Sequence, residues 1–184
     1  DGCSFSCSFC VVPHVRGPSR SRKLSDVVAE ARRRSDEGYR EIVLSGINLG
    51  CYRDPASRAG LPDLLHAAAD VEGIERIRLS SIEVNHLTEK LVETMRELPA
   101  VAPHLHVPLQ SGDDGVLQDM ARRYDVETYI DRVRRAEGMN ITTDVIVGFP
   151  SEDETAFERT LKAVRTIGAT KVHVFPYSPR PGTE

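Results

Sequence analysis

Five short β-rich runs, each separated from the next by helical sequence, constrain the fold of this 184-residue chain more than any other feature. The runs are "REIVLSG", "ERIRLSS", "HLHVPLQSG", "ITTDVIVGFP" and "KVHVFPYSP". Between them lie amphipathic stretches: "GLPDLLHAAADV" with Pro62 in its first turn, "LTEKLVETMREL" closed by Pro99, "DDGVLQDMARR" with "VETYIDRVRRAEG", and "EDETAFERTLKAVRTIG". A further helix, "LSDVVAEARRRSDEG", precedes the first strand, with Ser25 as the expected N-cap and Gly38 as the stop. Strands alternating with helices of this length indicate βαβ units, hence a parallel sheet wound right-handed. A sixth strand is expected ahead of the opening loop, because every other such loop follows a strand. The chain is therefore read as starting inside a longer protein, and "SPRPGTE" as an exit from the domain.

The whole chain fits one domain able to bury its own core. It has no apolar run of membrane-spanning length, and it reads without a secretory signal, since residue 1 sits beside the first cysteine. The net charge of −4 argues against a protein that coats nucleic acid electrostatically. Four lysines among the 24 basic residues leave 20 arginines, suited to planar recognition of carboxylate or phosphate.

In parallel α/β folds the ligand lies at the carboxyl ends of the strands. Here those ends are the unusual segments "SGIN", "SSIE", "PLQSG", "VGFPSE" and "FPYSPRPG". Their glycines let backbone approach a ligand, and Asn48, Ser81, Glu83 and Gln110 offer polar side chains to a common mouth. Taken singly, each is equally an ordinary turn residue.

Cys3, Cys7 and Cys10 crowd into the first ten residues, and Cys51 lies far away. Crowded cysteines in a chain with its own core do not form a disulfide framework, so a reducing, cytoplasmic setting is expected. The C-x-x-x-C-x-x-C spacing leaves two metal readings open. His14, four residues after Cys10, completes a Cys3His zinc site. Alternatively, three thiolates hold a 4Fe–4S cube whose fourth iron is open. A closed zinc site would give the strand-end residues nothing to bind.

With Phe9 directly before the third cysteine, this loop resembles the signature of the radical S-adenosylmethionine superfamily. Along the whole chain, "DGCSFSCSFCVVPHVRGPSRSR", "LSGINLG", "RIRLSSIE", "HLHVPLQSG", "MARRY", "TTDVIVGFP" and "HVFPYSPRPGT" resemble the methylthiotransferases. "LSSIE", "HLHVPLQSG" and "VFPYSPRPGT" look most like the branch acting on N6-threonylcarbamoyladenosine in tRNA, beside the anticodon. The resemblance implies an open (β/α)6 partial TIM-like barrel, α/β in class, with its first strand truncated. It implies a 4Fe–4S cluster on Cys3, Cys7 and Cys10, and S-adenosylmethionine chelating the open iron through its amino and carboxylate groups. One electron from the cluster would then cleave the sulfonium to methionine and a 5′-deoxyadenosyl radical. Phe9 would pack near the adenine, Gly46 and Asn48 would contact the methionyl amino group, and Ser81, Glu83 and Gln110 would surround the ribose and sulfonium. Arg122 would pair with the methionyl carboxylate, and Gly148 would admit the adenine to the backbone.

The bland readings are specific too. Arg122 is also readable as a solvated helix arginine, Glu83 as a helix cap, His14 as a loop residue and Cys51 as a bystander. Asp144 is either a lumenal acid or a satisfied core group. Arg16, Arg20, Arg22 and Lys23 form a basic loop near the mouth that could meet tRNA phosphates. Where the family often carries a glycine this chain has Ser151, and where it often carries a proline after the Glu of "SSIE" this chain has Val84. The resemblance places residues 1–184 in the radical core alone. The N-terminal domain with a second 4Fe–4S cluster and the C-terminal RNA-binding domain are expected elsewhere in the longer protein. Expected partners are tRNA and an electron donor such as a flavodoxin or ferredoxin, with no membrane association.

Overall fold

The computed structural model describes residues 1–183. All five predicted strands form: β1 Glu41–Leu44, β2 Arg76–Leu79, β3 His104–His106, β4 Asn140–Val147 and β5 Lys171–Pro176. The helices are α1 Val12–Arg16, α2 Leu24–Asp36, α3 Leu61–Ala69, α4 Glu89–Glu97, α5 Asp114–Asp119, α6 Val126–Arg134 and α7 Glu154–Ile167. Short 3-10 turns occupy Leu49–Cys51 and Val84–His86. Every strand pair is parallel.

Strands follow one another around the wall in chain order. β1 pairs with β2, and β3, β4 and β5 form a second ladder. The two ladders meet where Ile77 donates to Ala100 at 2.7 Å, Ala102 donates to Ile77 at 2.9 Å and Ile82 donates to His106 at 2.9 Å. The wall does not close. Val43 on β1 and Val174 and Phe175 on β5 are about half exposed at its two edges. A cavity of about 1040 Å³ runs along the free edge of β1, lined by Val27, Ala31, Leu44, Gly46 and Asn48 among others.

The core lies between this wall and the helices. α4 carries Leu91, Val92 and Met95 inward, and Thr88 caps it by accepting from the Leu91 amide. Asp153 caps α7 and left-handed Gly168 ends it. Tyr129 of α6 is fully buried, and its hydroxyl donates to the Val107 carbonyl at 2.6 Å. Thr143 of β4, also fully buried, donates to the same carbonyl and accepts from the Leu109 amide. Thr143 thus fixes which face of β4 meets the helices. Thr142 and Asp144 lie on the other, concave face.

Two sequence expectations change. Lys23, not Ser25, is the N-cap of α2 and gives no side-chain cap. The freed Leu24 amide instead donates to the Asp54 carboxylate at 2.8 Å, a cap supplied from 30 residues downstream. The glycine of "PLQSG" serves packing: a Cβ on Gly112 would come within 2.5 Å of the Thr160 Cα, and its amide donates to the Thr160 hydroxyl at 2.8 Å. That close approach is to α7.

Candidate metal centre

The cysteine loop sits on the carboxyl side of the wall and is held by few bonds. The Cys3 amide donates to Gly17, and Cys10 donates to Cys7, both at 3.0 Å. Ser8 anchors the middle, its amide donating to Met120 and its hydroxyl to Asp119 at 2.7 Å. Cys3, Cys7 and Cys10 are free and half-buried. Among the described residues, their thiols do not gather within 4.8 Å of one another. A single tetrahedral zinc would need sulfurs roughly 3.8 Å apart. His14 lies exposed in the last turn of α1. Three soft thiolates with His14 turned to solvent are a donor set that suits an iron–sulfur cluster.

Arg122 reaches Cys7 by a device invisible to periodicity. The sequence pattern extends α5 through Arg122, but the helix ends at Asp119. Ala121 turns left-handed at φ 53°, the Ala121 amide donates to Gln118 and the Arg122 amide to Leu117. This pair of bonds is a Schellman reversal, with alanine where glycine is usual. It points the guanidinium back into the mouth. Arg122 donates to the Cys7 sulfur at 3.2 Å and to the Tyr124 hydroxyl at 3.1 Å, and lies 3.5 Å from the Glu83 carboxylate. Burial works against its charge, but Tyr124 and Cys7 outweigh that and hold its pKa above the ordinary value. Burial pushes the Tyr124 phenol up to about 12, so it stays protonated and donates to the Leu109 carbonyl at 2.8 Å.

Glu83 takes the capping role that the sequence offered and adds a contact that it did not. It caps the Val84–His86 turn by accepting from the Asn85 amide at 2.9 Å, and it stands buried against Arg122. Asn48 presents its carboxamide oxygen as a buried atom without a partner, beside Gly46, whose amide donates to the Ser80 hydroxyl at 3.3 Å. An unpartnered buried acceptor is costly alone and fits a site that awaits a donor such as an ammonium group. Ser81 is half-buried between these groups in the chain.

Gln110 is held at φ 67°, a left-handed conformation that costs a non-glycine residue about 1–2 kcal/mol. Its amide donates to Asp144 at 2.8 Å and its carbonyl accepts from Ile146 at 2.9 Å, so the ladder itself enforces the strain. Gly148 has φ 73° and its amide is taken by the Glu152 carboxylate at 2.5 Å, which is reason enough for glycine there. Phe9 packs against an apolar cluster of Val116, Met120, Phe149 and Ala156.

Several contacts went unread in the sequence. Tyr124 is two residues from Arg122, and in an extended segment that spacing puts both side chains on one side. Cys51 lies 3.0 Å from the His86 ring nitrogen. Burial first, then the charges of Cys3 and Glu83, raise its pKa and hold it as a thiol. Phe5 stacks on His86 and lies under Arg123. Asp144, left undecided in the sequence, bonds to both His106 and His173 at 3.0 Å. In the basic loop, Arg16 and Arg20 are exposed and each lies 3.2 Å from the Asp1 carboxylate.

The chain resembles known proteins along its length. It is 42% identical to a tRNA-2-methylthio-N(6)-dimethylallyladenosine synthase of Alkalilimnicola ehrlichii, over 100% of this chain and 42% of that one. It is 40% identical to the threonylcarbamoyladenosine tRNA methylthiotransferase MtaB of Bacillus subtilis, with the same coverage. The chain thus spans about two fifths of the length of these relatives. In structure it is similar to the radical S-adenosylmethionine methyltransferase TsrM of Kitasatospora setae, solved with cobalamin and a [4Fe-4S] cluster, at TM-score 0.76 and 19% identity over 95% of this chain and 35% of that one. Methylornithine synthase matches 99% of this chain and 52% of its own at TM-score 0.68 and 19% identity. Both show the same open α/β wall. Residues 1–164 match the Radical SAM superfamily, which uses a 4Fe–4S cluster and S-adenosylmethionine, and the chain belongs to it.

Proposed function

We propose that this chain is the radical core of a cytoplasmic tRNA methylthiotransferase acting on C2 of N6-threonylcarbamoyladenosine. The observation that carries the reading is the buried Glu83–Arg122 pair touching Cys7. S-adenosylmethionine brings one carboxylate and one sulfonium, and a cation and an anion beside a cluster thiol complement both. Cys3, Cys7 and Cys10 hold the cluster and leave one iron unclaimed by the chain. Asn48 accepts from the ammonium group, Arg122 donates to the carboxylate, and Glu83 offers negative charge to the sulfonium side. Gly46, Ser81 and Gln110 line the same approach, Gly148 borders the adenine, and Phe9 with its apolar cluster shields that end from water. When bound, the cluster and S-adenosylmethionine supply a 5′-deoxyadenosyl radical by one-electron cleavage.

The similarity to methylthiotransferases supports a tRNA substrate and a second cluster in the longer protein, and the proposal adds an electron donor such as a flavodoxin or ferredoxin. No helix among the described residues is long and apolar enough to cross a membrane. Relatives name two adenosine substrates, so the dimethylallyl branch is the second reading.

Anaerobic reconstitution with iron and sulfide, followed by reduction, tests the core. Wild type is expected to release 5′-deoxyadenosine, and C7A to lose both cluster absorbance and product. A colourless protein that retains zinc instead overturns the reading. The full-length enzyme, offered tRNA bearing each adenosine in turn, then decides the branch by mass spectrometry of the nucleosides. Methylthiolation of only the dimethylallyl substrate, or of a ribosomal-protein aspartate, refutes the threonylcarbamoyl assignment.

A further inference from the structure

His106, Asp144 and His173 stand on three consecutive strands, on the concave face, with their ligand atoms within 4.8 Å of one another. Asp144 is directly opposite His173 in the β4–β5 register, and His106 is opposite Thr142, one pleat earlier on the same face. The Asp144 carboxylate bonds His106 Nε2 through one oxygen and His173 Nδ1 through the other, both at 3.0 Å. The imidazole centroids lie 5.4 Å apart. Three parallel strands hold this arrangement in place without help from a loop.

We propose that these three side chains form a second metal site, for a divalent transition ion of the zinc type, separate from the cysteine loop. Two imidazoles and one carboxylate make a nitrogen–oxygen donor set that suits such an ion and carries one compensating negative charge. An ion with ligands at about 2.0–2.1 Å places them roughly 3.3–3.4 Å apart in a tetrahedron, close to the distances already present. The protons have somewhere to go. As His106 gives Nε2 to the ion, its proton moves to Nδ1, which lies 2.9 Å from the Thr142 hydroxyl and donates to it. As His173 gives Nδ1, its proton moves to Nε2 on the half-exposed side of the ring. Both imidazoles stay neutral. Three protein ligands leave a fourth position for water or for a substrate nitrogen or oxygen.

The test uses cluster-loaded protein, so that the three cysteines are already occupied. One equivalent of zinc is added anaerobically, the protein is desalted, and zinc and iron are counted by elemental analysis. X-ray absorption at the zinc edge then reads the donor atoms. The expected result is about one zinc per chain with nitrogen or oxygen neighbours at about 2.0–2.1 Å. H173Q should bind zinc at least about 100-fold more weakly with unchanged iron, and T142V about 10-fold to 100-fold more weakly. His173 is 40% exposed on an edge strand, so H173Q is expected to fold, and its circular dichroism checks this. Sulfur neighbours at about 2.3 Å, equal zinc in H173Q, or no zinc on wild type each overturn the proposal. None of these readouts passes through S-adenosylmethionine cleavage, so the site stands or falls apart from the proposed activity.

Discussion

Residues 1–23 and the β3–β4–β5 wall face the same mouth but reach their shapes differently. The loop contains one five-residue helix without a buried side chain, and of its thiols Cys7 takes a bond from Arg122 and Cys3 one from the Phe5 amide. The wall satisfies its own polar groups: Thr143, Tyr129 and Val107 close one network behind it, and His106, Asp144 and His173 close another in front. Burial works to raise the Asp144 pKa, yet the two imidazoles hold it below the usual carboxylate range. The loop is fastened by a few backbone bonds and by Ser8, whereas the wall is cross-braced by its own side chains. A fold can thus keep substrate-facing groups rigid while leaving the cofactor loop adaptable.

Three experiments sharpen this contrast. The largest effect is expected at the joint between the regions. R122M leaves Glu83 buried without its counter-charge and should cost about 3 kcal/mol in urea denaturation. Adding E83Q should recover much of that loss, and a double mutant no more stable than R122M would break the claim that the pair is coupled. Next is the wall's strained residue. Q110G releases the positive φ and should raise stability by at most about 1 kcal/mol while weakening S-adenosylmethionine binding. A destabilised Q110G would show that the strain is not stored there.

The smallest effect is local and concerns how the loop is fastened. Asp54 accepts from the Ser57 hydroxyl and amide and from the Leu24 amide, which together lower its pKa from 3.8 to about 2. A carboxylate lowered on folding stabilises above its unfolded pKa and loses that contribution as pH falls through the folded one. Between about pH 4 and pH 2, the amides of Leu24 and Ser57 should therefore lose hydrogen-exchange protection while Leu109 stays protected. Simultaneous loss at Leu109 would mean that loop and wall open as one unit.

The strands, the helices from α2 onward and the three cysteines were legible because period and spacing are local properties, whereas the short α1 was read as loop. Ser25 failed as a cap because a buried carboxylate 29 residues on, Asp54, competes for the same helix end. Arg122 was named from the resemblance of "MARRY", but its route to Cys7 depends on a backbone reversal at an alanine, which carries no turn signal. Gly112 looked like a ligand-facing glycine because the sequence does not say which body approaches it. His106, Asp144 and His173 sit 38 and 29 residues apart, and only strand register brings them together. In each case the missing information was a long-range partner.

The reversal after α5 carries two attachments at once. Carbonyls of Asp119 and Met120 receive Ser8 from the cysteine loop, and the next two residues aim Arg122 at Cys7. The thiols and their counter-charge are therefore indexed to a single peg. If that peg shifts by a residue, both coordinates drift in concert, and the mouth keeps its electrostatic alignment even when its position on the wall changes.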